Sequence, residues 1–352
     1  MKARIILSAD KKDFYKELFS LAIPIGMQNL LVALISATDA LMLGRFSQDA
    51  VSAVSLANQV VFIMNLFIGA VVGGGGVLLA QYWGKGDRTM VKNIFCTILK
   101  WAFGISLVFF AFAMFIPETL MRIYTPEPKL IEIGTSYLRA VAFSYLFSGI
   151  TNCYYLMMKL EGKAVKSVYI SVVTLITDMV IDLFLIYGLC GVPRLGANGS
   201  AYSTVVVELV ALVWCITESH KKGSLRPDLQ GFKWFSKAIT KDMFKVSLPM
   251  LGSSLAWGLG FSLHSLIMGH LGSDATAAAS ITSVAQELIT CVCKGISAGA
   301  GIMVGKLLGR NMFDKAREYG ETFLLYFLLD RRYTYGAALY SGACCYDILC
   351  AV

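Results

Sequence analysis

The chain has 352 residues, 57% of them hydrophobic and 15% charged, with a mean hydropathy of +0.66. A soluble domain of this size is usually about 45–50% apolar, so the composition excludes one. The net charge of +8 does not argue for nucleic acid, because the lysines and arginines gather at one set of helix ends. No nucleic-acid partner is expected; a lipid bilayer is.

A membrane helix needs about 20 apolar residues. Segments long enough lie near 20–43, 51–80, 94–116, 131–158, 167–190, 198–218, 246–269 and 275–305, with a less regular ninth starting near 319. The basic N-terminus before the first segment resembles a secretion signal, but the segment is too long and more spans follow, so it reads as the first membrane helix. Asp39 lies inside it, followed by Gly44 and Arg45. Asn58 and Gln59 open the second span as helix-packing amides or cavity-lining groups, and "GGGG" at 73–76 lacks the lysine and strand of a phosphate loop. The fifth span holds Asp178 and Asp182, and the sixth Thr204.

Residues 219–245 form a polar, basic linker. Segments 11–19 and 236–244 read as short amphipathic helices at the interface before each half's first span. Pro24 and Pro249 are first-turn prolines or hinges. Glu287 and Lys294 share a face of span eight, as a neutralising pair or as cavity lining. The nine cysteines are scattered, with no zinc or disulfide spacing. Alternate loops and the N-terminal tail carry 22 lysines and arginines, against four (Arg45, Arg122, Lys129, Arg194) in the opposite set. The positive-inside rule then puts the N-terminus in the cytoplasm of a plasma (inner) membrane protein.

A shift of 225 residues aligns "KELF" (16–19) with "KDMF" (241–244), Pro24 with Pro249 and "LMLGRF" (41–46) with "LIMGHL" (266–271). It also pairs Asp49 with Asp274, Gly74 with Gly299, Gly76 with Gly301 and Gly84 with Gly309. Internal repeats of this length signal a duplicated architecture. Six spans separate the repeat starts, so both halves enter the membrane in the same direction, as in transporters whose two bundles rock about a central cavity. The expected fold is an all-α membrane protein, a two-lobed helical bundle built from a parallel six-helix repeat with the second lobe incomplete. Residues 1–218 make the six-helix N-terminal lobe, 219–245 the cytoplasmic linker and interfacial helix, and 246–352 the C-terminal lobe with helices 7, 8 and a weaker 9. Arg331 and Arg332 map onto the middle of span three, where two arginines would cost about 5–7 kcal/mol. The chain is therefore expected to be truncated or altered after about Leu329.

These stretches resemble the multidrug and toxic compound extrusion (MATE) family in its bacterial branch. The resemblance is carried by "LAIPIGMQNLLVALISATDALMLGRF", "AQYWGKGDRTMVKNIF", "DMVIDLFLIYGLCGVPRLGANGSAYST" and the second-half "SLPM" and "LIMGHLG", and it covers about residues 14–325. It implies a twelve-span, two-lobed exporter of organic cations or other amphiphiles, driven by inward Na⁺ or H⁺, with no enzymatic activity. It also implies that the positions of Asp39, Asp178, Asp182 and Thr204 form the cation-coupling site of the N-terminal lobe. The sequence departs from the family in having about eight readable spans and Asp178 where Asn is frequent. Some members carry a glutamate on the seventh span; here the nearest polar residue is His264, which the repeat aligns with Asp39.

The residues support that site by themselves. An ionised Asp near the bilayer centre costs about 2.5–3.5 kcal/mol, and two at i, i+4 share a helix face. Such a pair needs a proton or a small cation between its members. Counting about 1.5 Å per residue from the outer helix ends places Asp39, Asp182 and Thr204 at one depth, two carboxylates and a hydroxyl that supply hard oxygen ligands for a small cation; if the ion is Na⁺, Asp39, Asp178 and Asp182 are expected to hold it. No cofactor beyond that ion, and a monomer, are expected. The competing readings are a flippase for lipid-linked saccharides, a passive channel and an intramembrane aspartyl protease, whose dyad gives the duplication no role.

Overall fold

The computed structural model describes residues 8–188, 193–221, 224–227, 229–234 and 236–330. All regular structure among them is helical: α1 (Ser8–Phe46), α2 (Gln48–Lys85), α3 (Arg88–Phe115), α4 (Pro117–Tyr124), α5 (Pro128–Leu160), α6 (Ala164–Tyr187), α7 (Ala197–Ser219), α8 (Leu229–Lys233), α9 (Lys237–His270), α10 (Ser273–Gly309) and α11 (Phe313–Asp330). Each expected span coincides with a helix. Among the described residues, α1, α2, α3, α6, α7 and α9 are long and apolar enough to cross a membrane. The remaining two expected spans, α5 and α10, have the length but carry more polar side chains, such as Asn152 and Lys294, which line interior cavities.

The interfacial helices expected at 11–19 and 236–244 are not separate elements. They are the first turns of α1 and α9, which continue unbroken through Pro24 and Pro249. Both prolines lie well inside their helices, so the first-turn reading fails, and each removes an i→i−4 hydrogen bond. The linker is held by side chains instead. Lys100 of α3 donates to the carbonyls of Phe232 and Trp234 at 3.2 and 3.0 Å, closing the C-terminal end of α8. Glu161 accepts from the Leu225 amide at 2.7 Å and pairs with Lys163 at 2.6 Å, while Glu218 pairs with Lys166 and Lys221.

Two apolar cores follow. The core at the basic end joins both repeats, bringing Phe14, Leu79, Ile94 and Met157 against Met303 and Phe323. At the other end the buried core residues come from the first repeat, including Leu43, Leu56, Met64, Leu138, Tyr145 and Ile186, with Leu266 of the second repeat packed against them.

The repeats meet through α1, α2, α9 and α10, and their contacts follow the 225-residue shift. A Cβ on Gly74 would press on Ser247, and one on Gly299 would meet Ala22 at 3.3 Å; these two contacts are repeat mates. On the axis between the repeats, a Cβ on Gly84 would strike the Lys306 carbonyl and one on Gly309 the Gln81 carbonyl. Only glycine lets the backbones approach this closely, the usual device of packed membrane helices. At the opposite end Gln48 bonds Asp274, and the Ser52 hydroxyl donates to the Ser273 carbonyl at 2.8 Å. Helices α2 and α10 therefore touch at both ends.

Candidate functional site

The face shared by Asp178 and Asp182 on α6 turns inward. Their exposures are 1% and 0%, so neither carboxylate is hydrated in the bulk sense. Packing of α1 against α6 brings Asp39 to them, and a carboxylate oxygen from each of the three lies within 4.8 Å of the others. Four of their oxygens, Asp39 Oδ1, Asp178 Oδ2 and both of Asp182, are buried without a hydrogen-bond partner among the described residues. Orphaned buried acceptors at a bilayer depth carry a large desolvation cost unless a proton or cation joins them. A hard ion with bonds of about 2.3–2.6 Å holds opposed oxygens about 5 Å apart. The spacing fits such an ion, and it also fits shared protons.

Thr204 does not belong to this cluster as expected. Its hydroxyl donates to the Ser200 carbonyl one turn back in α7, at 2.9 Å. The hydroxyl that reaches the acids is its neighbour Ser203, which donates to Asp178 Oδ1 at 2.7 Å. Counting residues along α7 gives depth but not direction. Consecutive residues differ by only about 1.5 Å in depth but point about 100° apart. Ser203 is fully buried.

Asp39 also borders a cavity of about 250 Å³ between the repeats, lined on one side by Asn58, Gln59 and Phe62 and on the other by Trp257, Phe261 and His264. Asn58 accepts from the Tyr137 hydroxyl at 3.2 Å, and Gln59 Oε1 is an orphan among the described residues. His264, the repeat counterpart of Asp39, faces the same space. Gln286, Thr290 and Lys294 of α10 complete it. The side chain of Glu287 lies outside the described residues, and with it the pairing expected with Lys294. Three aromatic rings form one wall: Trp257 and Phe261 stack at 5.8 Å, and Phe62 sits 5.7 and 5.3 Å from them. Spacing along the chain does not show which aromatics gather here, because they come from two distant helices.

A second cavity of about 500 Å³ opens toward the basic end. It is lined by Gln28, Asn152, Tyr155, Lys159 and Ser297, and shares Lys294 with the first. Sequence reading also passed over Glu208, midway along α7, whose carboxyl is within reach of Ser148 on α5. The signal was available: a lone glutamate in "VVVELVALV" is the same kind of intramembrane anomaly as the aspartates.

The sequence matches the MatE family profile over residues 24–184 and again over 249–329, once in each repeat. Among curated relatives, the "Uncharacterized transporter YisQ" of Bacillus subtilis is 23% identical over 86% of this chain and 66% of its own length. The "Probable multidrug resistance protein NorM" of Thermotoga maritima is 24% identical over 84% of this chain and 63% of its own. The chain thus spans about two thirds of the length of such relatives. In three dimensions it is similar to the MATE multidrug transporter DinF-BH, with a TM-score of 0.79 at 19% identity over 91% of this chain and 71% of that one.

Proposed function

Because the chain belongs to the MatE family, whose matched relatives include multidrug resistance proteins, we propose that it serves as a cation-coupled antiporter exporting organic cations or other amphiphiles. It would work in the plasma (inner) membrane with its N-terminus in the cytoplasm. The observation that carries this reading is the convergence of three carboxylates from two helices, with four unpartnered oxygens, on the rim of the cavity between the repeats.

Asp39 is the link in this scheme, since it belongs both to the acid cluster and to the cavity wall. When Na⁺ or a proton occupies the cluster, the negative charge facing the cavity falls and an organic cation there loses its counter-charge. When the ion leaves, the charge returns. Two ligands competing for one charge are coupled reciprocally, which is what exchange requires. The aromatic wall of Phe62, Trp257 and Phe261 offers ring faces to a cationic substrate, worth about 0.5–2 kcal/mol.

One observation favours a second reading, a flippase for lipid-linked saccharides. The larger cavity presents Lys159 and Lys294 and no carboxylate among its described lining residues, a polarity suited to a diphosphate. Arg139 of α5 lies elsewhere, in an outer cleft. The deciding experiment is ethidium efflux from vesicles under separately imposed Na⁺ and proton gradients, with Asp182→Asn as the variant. Gradient-driven efflux should be lost while insertion is retained. Normal efflux by the variant would remove the coupling assignment.

A further inference from the structure

A further large cleft lies outside the site described above. It holds about 1010 Å³ between α4 and the first halves of α5 and α7. The main packing partners of α5 and α7 are helices of the first repeat, whereas the second repeat packs on α1, α2 and α4. This cleft is therefore peripheral to the central cavity and faces the surroundings of the lobe.

Its wall is built from a polar stripe on a membrane helix. Glu132, Ser136, Arg139 and Phe143 recur at helical spacing on the exposed face of α5, opposite the buried Tyr137, Leu138, Val141 and Tyr145. Arg122 of α4 is paired with Glu118 at 2.6 Å. Glu132 and Arg139, by contrast, form no ion pair among the described residues. Arg139 lies eleven residues into α5, about 16 Å along the axis, and an unpaired arginine at such a depth is costly. Helical side chains lean toward the N-terminus, so Arg139 leans toward the outer end and toward Glu132, two turns above it.

A hydrogen bond ties α7 to this wall: Asn198 donates its amide N–H to Ser136 Oγ at 2.7 Å. Both residues line the cleft. At its lower margin Phe143 and Tyr202 are 45% and 48% exposed, apolar surface at the depth of acyl chains.

One cation and one anion, unpaired among the described residues and set where a helix enters the bilayer, are complementary to a zwitterion whose positive end carries N–H donors. We propose that this cleft binds a phospholipid with a phosphoethanolamine headgroup. The phosphate meets the guanidinium of Arg139. The ammonium donates to the Glu132 carboxylate, while the acyl chains lie along Phe143 and Tyr202. A phosphocholine headgroup has no N–H for that carboxylate. A phosphoglycerol headgroup leaves Glu132 unpaired and adds a second negative charge beside it.

Native mass spectrometry of the purified full chain in detergent tests this, using phosphoethanolamine, phosphocholine and phosphoglycerol lipids with identical acyl chains. One phosphoethanolamine lipid should be retained about tenfold over phosphocholine, the equivalent of one charge-assisted hydrogen bond. Glu132→Gln should abolish that preference, and Arg139→Gln should weaken retention of both zwitterionic lipids. Both side chains are exposed, so an unchanged melting temperature should accompany each change. Equal retention of phosphoethanolamine and phosphocholine, stronger retention of phosphoglycerol, or a preference that survives Glu132→Gln would each overturn the assignment.

Discussion

Replacing Ser203 by alanine removes the hydroxyl whose 2.7 Å bond to Asp178 Oδ1 lies in a fully buried setting. A hydrogen bond to a charged group contributes about 1.5–3 kcal/mol, and loss of its donor leaves the acceptor with the full desolvation penalty. Among the described residues this is the one hydroxyl seen donating to the three carboxylates. Its loss adds an orphaned oxygen to the cluster, so the coupling ion should bind more tightly, by about 10- to 150-fold, since about 1.4 kcal/mol is tenfold in affinity. Thr204→Ala is the matched control. It removes a hydroxyl one residue away that bonds its own helix, and should leave the ion's half-saturation within about twofold, the scale of a surface-like change of ±0.5 kcal/mol. The assay is ethidium efflux from vesicles as a function of the driving ion's concentration, with thermal melts to confirm folding of both variants. If Thr204→Ala shifts the ion's half-saturation and Ser203→Ala does not, the geometry assigned to the acid cluster is wrong.

Gly309→Leu forces a side chain onto the Gln81 carbonyl, and overpacking of this kind costs about 1–3 kcal/mol. Spin labels on Lys85→Cys and Arg310→Cys should then report a longer distance between the basic ends of α2 and α10, and an unchanged distribution would contradict the contact. Trp257→Ala removes the ring that touches both Phe62 and Phe261. It should raise the KM for a cationic dye several-fold, consistent with a cation–π loss of about 0.5–2 kcal/mol, with little effect on a neutral amphiphile; equal effects on both would remove the wall's assigned role.

How much of this was legible beforehand differs by residue. The pairing of Asp178 with Asp182 needed only helical spacing, and their lack of solvent needed only the apolar run around them. The glycines at 74, 84, 299 and 309 were visible as repeat mates, although their use as backbone contacts between α2 and α9, α1 and α10, and α2 and α10 was not. The interfacial helices were misjudged because polarity in 11–19 and 236–244 signals where a helix leaves the bilayer, not where it stops. Glu208 was legible and overlooked, whereas the aromatic wall could not have been read from the order of residues.

Sequence alone determined the spans, the duplication and the identity of the buried acids, because each depends on intervals along one helix or one constant offset along the chain. Only the tertiary structure decided which faces meet: that α1 delivers Asp39 to the α6 pair, that Ser203 and not Thr204 reaches it, and that Arg139 and Glu132 share a peripheral cleft. Rise along a helix is fixed by covalent geometry. Rotation about its axis is fixed by what packs against it, and a single residue turns a side chain through about 100°.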